Sequence, residues 1–352
     1  MKVFFVNFSP SWGGGEQWHL SNASALLRCG YETGMITRTG SILGARAKQA
    51  GLTVHEFHIN RRFSNVDPFK HYKVYRFLQH ENPDAIIANG PNELKIAGFM
   101  GHFTGVKKII YRRGNYSRIK PYYINRMLFG KTTHLIVTAQ SILDQLNKDF
   151  GSLLPCRQFI LPNGIQINPG PFFNDFTSGR IAVVARLSQE KGVDLAIRAF
   201  AKVAVKCPDA RLSIMGEGRE RDHLIKLAGE LGILEKTDFM GQVEHPMEVL
   251  KNCSVFLLPS RWEGFSTALI ESMNMQLPAV AFEIDAACTK IRDGETGYLV
   301  PCFDVVKMAE KLVHLLKNPD LCRSMGMAAY QVLCDHFDEN KTILMLESIL
   351  KD

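Results

Sequence analysis

The sequence of 352 residues has no run of about 20 apolar residues, the length that an α-helix needs to cross a bilayer. Its first apolar run, Val3 to Val6, follows a single basic residue and stops at Asn7. This pattern predicts a first β-strand rather than a signal peptide. The length leaves room for two domains of ordinary size. We therefore expect a soluble two-domain protein without a membrane span.

Paired cysteine motifs are also missing. The eight cysteines are scattered without a C-x-x-C spacing, which disfavours a zinc site and gives no disulfide framework. The zinc motif H-E-x-x-H is absent as well, since His55-Glu56-Phe57-His58 has a different spacing and lies in a strand pattern. These absences predict a cytoplasmic protein that holds no metal ion.

Neither of the common glycine-rich nucleotide motifs occurs. Gly13-Gly14-Gly15, after the first predicted strand, is not the dinucleotide motif G-x-G-x-x-G and lacks the lysine of a P-loop. A dinucleotide-binding fold and a P-loop NTPase are therefore unsupported. Two interpretations stay open: a permissive turn, or a turn in which Gly14 and Gly15 let the backbone approach a ligand.

Acidic residues are absent from residues 94–143, although this segment carries nine lysines and arginines interleaved with four tyrosines. Residues 1–170 hold 21 basic against 9 acidic residues, a net charge of +12, whereas the remainder holds 21 against 26, a net charge of −5. A basic half attracts an anionic substrate or an anionic membrane surface; the alternative is a solvated basic face. The segment shows no RNA- or DNA-binding motif.

Strand-like and helix-like segments alternate along the chain, from Val3 in the first half and again from Ile181 in the second. Such alternation is typical of parallel sheets with helices on both faces, so we predict an α/β protein with two Rossmann-like, doubly wound domains. Periodicity is lost over residues 168–179, where we place the linker. The predicted domains are residues 1–170 and 171–336, followed by a last helix within about 337–352.

The strongest local signal is a buried strand at residues 254–258 that leads into a short loop and a helix. Apolar residues recur at helical spacing from Leu269, with Ser266 or Thr267 as the predicted N-cap and Pro278 ending the helix. The free N–H groups at such a helix start favour a bound phosphate or a polyhydroxyl ligand.

Two carboxylates flank this helix start, Glu263 in the loop and Glu271 on the helix. A carboxylate does not favour phosphate, so the pair is better suited to accept hydrogen bonds from sugar hydroxyls. The alternative is that Glu263 only complements the helix dipole and that Glu271 is a solvated surface residue.

Two cations follow the strand that begins at Ile181, Arg186 and Lys191, just before a helix predicted to begin at about Gly192. A lysine at a helix N-terminus opposes the helix dipole unless an anion lies between them. Arg186 suits a forked contact to two phosphate oxygens, and Lys191 a compact one. Together they suit a leaving diphosphate without a metal ion; the alternative is two surface cations on a turn.

Taken together, these segments resemble the retaining GT-B glycosyltransferases and are most similar to glycosyltransferase family 4, the glycosyl transferases group 1. Glu263 and Glu271 have the spacing of the family's Glu-x7-Glu signature, and Arg186 and Lys191 that of its Arg-x4-Lys motif. Further blocks follow in the family's order: Pro162-Asn163-Gly164, Met215-Gly216-Glu217-Gly218, Phe239-Met240-Gly241-Gln242-Val243 and Asp293-Gly294-Glu295-Thr296-Gly297. No Asp-x-Asp triplet occurs, which disfavours the metal-dependent GT-A class.

The resemblance implies two domains that face a cleft, with the last helix packed back on the first domain. A nucleotide sugar, which we expect to be a UDP-sugar, is implied on the second domain, and the acceptor on the basic first domain. Catalytic roles are implied for Glu263, Arg186 and Lys191. Donor contacts are implied for Gly14, Gly15, Gly216, Gln242, Val243, Gly264, Phe265, Ser266, Thr267 and Glu271.

The implied reaction is metal-free sugar transfer, with retention of the anomeric configuration, to a hydroxyl of a glycan or lipid-linked acceptor. It belongs to cell-envelope polysaccharide or lipopolysaccharide biosynthesis, at the inner face of the cell membrane. Alternatives are a GT-B-fold nucleotide-sugar epimerase and a non-catalytic protein that binds nucleotide sugars or nucleic acid.

One block departs from the family. Its members often carry a histidine near the donor sugar at the end of a first-domain strand, but here that stretch reads Ile109-Ile110-Tyr111-Arg112-Arg113-Gly114-Asn115. Arg112, Arg113 and Asn89, which ends the preceding strand, are the candidates for contacts to the acceptor or from the first domain.

Overall fold

The computed structural model describes residues 1–10, 12–59, 67–114, 127–151, 154, 157–170 and 174–352. Within these ranges the chain forms two compact units, Met1–Gly164 together with Asn340–Asp352, and Ile165–Glu339. Three residues of the basic segment, Arg118, Lys120 and Arg126, lie outside the described residues, as do residues 171–173 of the predicted linker.

The first unit is built on a parallel sheet. Its strands are β1 (Lys2–Asn7), β2 (Glu32–Arg38), β3 (Thr53–Phe57), β4 (Ala85–Ala88), β5 (Lys108–Arg113), β6 (His134–Val137) and β7 (Arg157–Ile160). They lie in the order β3-β2-β1-β4-β5-β6-β7. The helices described here are Gly14–Arg28, Ile42–Gln49, Pro68–Glu81, Pro91–Glu93, the π-helical Leu94–Gly98, Phe99–Phe103, Gln140–Phe150 and Glu339–Lys351.

Helices on both faces of this sheet explain why its strands read as continuous apolar runs. Val3 and Phe5 of β1 belong to one buried cluster, and Phe4 and Val6 belong to another, because successive side chains of a strand point to opposite faces. The last helix of the chain completes the first of these clusters with Ile343, Leu346, Ile349 and Leu350.

The second unit repeats the architecture. Its strands are β8 (Arg180–Val184), β9 (Arg211–Met215), β10 (Thr237–Gly241), β11 (Val255–Leu258), β12 (Ala279–Phe282) and β13 (Gly297–Val300). All their pairings are parallel, in the order β10-β9-β8-β11-β12-β13. The α-helices are Val193–Lys206, Arg221–Glu230, Pro246–Leu250, Thr267–Asn274, Asp285–Cys288, Val305–Leu316 and Pro319–His336.

Each sheet has one point where the strand order reverses, between β1 and β4 in the first unit and between β8 and β11 in the second. In open α/β sheets ligands bind at such points, outside the carboxyl ends of the strands. The predicted fold class of two Rossmann-like units is confirmed. Of the helices in the described ranges, none has the length and hydropathy of a membrane span.

Candidate functional site

Two loops flank the reversal point of the second unit, one after β8 and one after β11, and they are joined closely. Gly192 has φ +64°, and a Cβ at this position would lie 2.0 Å from the carbonyl oxygen of Pro259. Only glycine fits this contact without displacing the other loop. The N–H of Arg261 donates to the carbonyl of Glu190 at 2.9 Å, which adds a backbone link between the loops.

These links bring Lys191 and Glu263 into direct contact. Lys191 Nζ donates to Glu263 Oε1 at 2.6 Å, and the Ser260 hydroxyl donates to the same oxygen at 3.1 Å. Both charged side chains are largely shielded, with exposed fractions of 20% and 12%. The anion expected next to Lys191 is thus supplied by the protein itself. Lys191, assigned from the sequence to the diphosphate, and Glu263, assigned to sugar hydroxyls, are thus partners in this structure.

The turn from Glu263 to Ser266 has a strained backbone. Ser266 precedes the helix Thr267–Asn274 with φ +59° and ψ +77°, a left-handed conformation that is costly for a residue with a side chain. Ser266 occupies the N-cap position, as one of the two predicted candidates, but its side chain makes no capping hydrogen bond. Its buried hydroxyl has no hydrogen-bond partner among the described residues.

Glu271 lies one turn into the same helix in a shielded environment. Burial raises the pKa of its carboxyl to about 7. A fully solvated carboxylate would keep its usual pKa, so the alternative of a simple surface residue does not fit. A partly desolvated carboxylate is a strong hydrogen-bond acceptor for ligand hydroxyls.

Arg186 is held at the same edge of the sheet by a glycine turn. Its side chain is 70% exposed and lies 3.7 Å from the carboxylate of Glu190. A Cβ on Gly216 would lie 1.9 Å from the carbonyl oxygen of Ala185, and one on Gly218 would lie 2.2 Å from that of Leu187. The turn after β9 therefore packs directly on the backbone on both sides of Arg186.

The loop after β10 is tied to the same turn. The N–H of Gly216 donates to the carbonyl of Gly241 at 2.7 Å, and Gln242 and Val243 follow directly. The candidate donor residues of the second unit thus come from the four loops after β8, β9, β10 and β11, at one edge of the sheet, and from the helix Thr267–Asn274 that follows the last of them.

In the first unit, the candidate residues gather around the buried guanidinium of Arg112. Arg112 donates to Asn89 Oδ1 and to Asn163 Oδ1, both at 2.9 Å, and its guanidinium lies 4.8 Å from the ring centre of Trp18. Burial lowers its pKa to about 10. A Cβ on Gly15 would lie 2.8 Å from Asn89 Nδ2. Gly15 is thus needed for close packing against Asn89, and Gly14 begins the helix Gly14–Arg28.

Arg113 is also buried, and it donates to the hydroxyl of Tyr111 at 3.0 Å. The alternative of a solvated basic face is therefore wrong for Arg112 and Arg113. Lys107, in contrast, is exposed to solvent, as this alternative requires.

Sequence reasoning missed several residues of these sites. The sequence shows Asn163 only as part of a Pro-Asn-Gly turn, whereas in the structure its side-chain amide accepts a hydrogen bond from Arg112. His19 belongs to no recognised motif. Burial, and to a smaller extent the positive charge of Arg112, hold the pKa of its imidazole well below the usual range. In the second unit, Lys290 is buried although it belongs to no recognised motif.

No group of three or more His, Cys, Asp or Glu side chains suited to a metal ion is found within the ranges described above. The described cysteines are all free, and Cys156 lies outside those ranges.

Two family models match the chain in succession. The model described as Glycosyltransferase Family 4 matches residues 12–168, and the model described as Glycosyl transferases group 1 matches residues 173–332. Between them they span most of both units.

Curated relatives include a glycosyltransferase that matches along nearly its whole length and a phosphotransferase that matches over part of its length. The lipopolysaccharide core biosynthesis glycosyltransferase LpsE of Rhizobium meliloti is 24% identical over 342 residues, 96% of this chain and 95% of that protein. An exopolysaccharide phosphotransferase of Streptomyces coelicolor is 34% identical over 199 residues, 56% of this chain and 21% of that protein. For this phosphotransferase and two further curated relatives, the match spans less than two thirds of the relative's length, namely 21%, 44% and 38%.

Among solved structures, HepE of Anabaena in complex with UDP and glucose superposes with a TM-score of 0.86 at 17% identity, over 100% of both chains. At this identity the likeness concerns the fold. It confirms the GT-B prediction.

Proposed function

Because the chain belongs to glycosyltransferase family 4 and has the GT-B fold, we propose that this glycosyltransferase moves a sugar from a UDP-sugar to a hydroxyl of a glycan or lipid-linked acceptor. The name of LpsE supports an acceptor from lipopolysaccharide or a related envelope polysaccharide. The UDP and glucose bound to HepE support a uridine nucleotide as the donor. Retention of the anomeric configuration, without a metal ion, is part of the proposal and comes from the family resemblance.

The contact between Lys191 and Glu263 carries this proposal. It places a cation and a carboxylate 2.6 Å apart at the point of the sheet where α/β proteins bind nucleotides. In the proposed complex, Arg186 and Lys191 neutralise the diphosphate, and Glu271 accepts hydrogen bonds from the ribose. Glu263 and the turn from Gly264 to Thr267 contact the sugar, and its transfer leaves UDP.

A thermal-shift screen over UDP, GDP, ADP and CMP sugars tests the donor class. A ligand present at 100 times its dissociation constant stabilises a protein by about 2.7 kcal/mol, which is readily measured. We expect UDP-sugars to raise the melting temperature, and Lys191→Ala and Glu271→Ala to remove the effect while the proteins stay folded. Lys251→Ala is the matched control, because Lys251 pairs with Glu248 on an exposed surface.

Absence of stabilisation by every nucleotide sugar, with normal folding, would contradict the proposal. Donor binding that is unchanged in both Lys191→Ala and Glu271→Ala would contradict the assignment of the site. Conversion of the free nucleotide sugar to its epimer without an acceptor would show an epimerase instead.

A further inference from the structure

Lys290 is an unusual residue because its ammonium group is buried. It follows the helix Asp285–Cys288, after β12, and only 3% of its surface is exposed. Its Nζ donates to the carbonyl of Ala286 at 2.9 Å and to the hydroxyl of Thr289 at 3.3 Å. Lysines are almost never fully buried unless they are paired, so this position requires compensation from its surroundings.

Part of that compensation comes from two aromatic rings. Lys290 Nζ lies 4.3 Å from the ring centre of Phe265 and 5.6 Å from that of Phe337. The two rings meet edge to face with their centres 5.9 Å apart. An ammonium group within about 6 Å of an aromatic ring is attracted by the negative charge of its face. Phe265 is thus held by an aromatic edge and by a cation.

The carboxylate of Glu263 adds a further, partial compensation. Burial lowers the pKa of Lys290 to about 7, and the negative charge of Glu263 acts in the opposite direction. Glu263 therefore interacts with two lysines, Lys191 by direct contact and Lys290 through space.

The turn that contains Phe265 needs such an anchor. Strained backbone persists only where its surroundings determine it, and Ser266 has the left-handed conformation described above. Among Glu263, Gly264, Phe265 and Ser266, the phenylalanine is the one large apolar side chain, and only 6% of it is exposed. The packing of Phe265 is therefore the apolar contact that holds this turn, beside the polar contacts of Glu263 with Lys191 and Ser260.

We propose that Lys290 is a positioning residue, whose ammonium holds Phe265 and thereby fixes the turn from Glu263 to Ser266 in the shape that grips the donor sugar. The consequence of Lys290 for donor binding rests on the glycosyltransferase function proposed above. The effect of Lys290 on the conformation of the turn is independent of that function, so the two effects are tested separately.

Trp262 reports on the turn without any substrate. It directly precedes Glu263 and is 54% exposed, and the other two tryptophans, Trp12 and Trp18, lie in the first unit. The protein is labelled with 5-fluorotryptophan, and the ¹⁹F resonance of Trp262 is assigned with Trp262→Phe. Lys290→Met keeps an unbranched side chain that is one atom shorter and removes the charge. We expect it to shift or broaden the Trp262 resonance and to leave the other two unchanged.

The matched control is Lys311→Met. Lys311 Nζ lies 4.2 Å from the ring centre of Tyr298, so this variant also removes a lysine from an aromatic ring of the second unit. It should leave the Trp262 resonance in place. Phe265→Leu is the second variant: it should perturb the same resonance, and adding Lys290→Met to it should have little further effect. A folded Lys290→Met protein with an unchanged Trp262 resonance would overturn the proposal.

The effect on the donor is measured by titration calorimetry with UDP and with UDP-glucose. We expect Lys290→Met to weaken UDP-glucose binding about tenfold, the loss that accompanies one hydrogen bond to a charged group, and to leave UDP binding within twofold. An equal loss for UDP and UDP-glucose, or none for either, would overturn the role in gripping the sugar. If the unmodified protein binds neither compound, the proposed donor fails, and the Trp262 resonance still decides whether Lys290 fixes the turn.

Discussion

The guanidinium of Arg261 holds both carboxylate oxygens of Asp194, with two N–O distances of 2.8 Å. Arg261 lies in the loop after β11, and Asp194 lies in the first turn of the helix after β8. Arg261 also donates to the carbonyl of Gln189 at 2.8 Å. This one side chain therefore fastens together the two loops that carry Lys191 and Glu263.

Replacement of Arg261 by lysine is expected to loosen this connection. A lysine cannot make the planar, two-pronged contact, so Arg261→Lys should lower the free energy of unfolding by about 1–2 kcal/mol. Urea denaturation measures the change. Arg219→Lys is the control, because Arg219 is 73% exposed and lies 3.8 Å from Glu220. An equal change in the free energy of unfolding for both variants would contradict a special role for the two-pronged contact of Arg261 with Asp194.

Gly192 is expected to tolerate no side chain. Gly192→Ala combines a left-handed backbone with a Cβ 2.0 Å from the carbonyl oxygen of Pro259, so it should cost about 1–3 kcal/mol and weaken donor binding. Gly229→Ala is the comparison, since a Cβ there meets nothing within 4 Å in the helix Arg221–Glu230. It should be neutral or stabilise by about 0.4–1 kcal/mol. Chemical denaturation distinguishes the two, and a harmless Gly192→Ala would contradict the close packing of the loops.

Glu271 is expected to make stability depend on pH. Because its folded pKa is raised to about 7, the folded state binds this proton more tightly than the unfolded chain does. The free energy of unfolding should therefore fall as the pH rises from the usual carboxyl range to about 7. Glu271→Gln removes this dependence, so its melting temperature should exceed that of the unmodified protein at pH 8 but not at pH 5.

The control for this pH series is Glu230→Gln, since Glu230 is 60% exposed and lies 3.8 Å from Lys226. Its difference from the unmodified protein should be small at both pH values. A constant difference for Glu271→Gln across the same range would contradict the raised pKa.

Replacement of Arg112 by lysine is expected to destabilise the protein. Arg112→Lys removes the two-pronged contact to Asn89 and Asn163 and leaves at least one shielded amide oxygen without its donor, a cost of about 1–3 kcal/mol. Arg157→Lys, at a side chain that is 49% exposed, should change stability by less than about 0.5 kcal/mol. Thermal unfolding of both variants tests this, and equal melting temperatures would show that the two amides do not depend on Arg112.

The parallel sheets could be predicted from the sequence because buried strands leave continuous apolar runs, as at Val3 to Val6, between helices of regular period. The pairing of Lys191 with Glu263 was not predicted, although both residues were singled out. They lie 72 positions apart, and their contact depends on Gly192 packing against Pro259, which no local pattern encodes.

The burial of charged side chains was the main feature that could not be predicted from the sequence. Arg112 and Lys290 stand in segments that read as basic or unremarkable, and their burial follows from partners far along the chain, Asn163 and Phe265. Composition and spacing report the number of charges, but the partners that compensate a buried charge are set by tertiary packing.

The last helix, Glu339–Lys351, belongs to the compact unit formed by the start of the chain. During synthesis, all of Ile165–Glu339 leaves the ribosome before this helix does. The part of the apolar cluster around Val3 and Phe5 that the last helix covers therefore stays open until this helix emerges. A nascent chain that stalls before the final helix would present that uncovered face to chaperones.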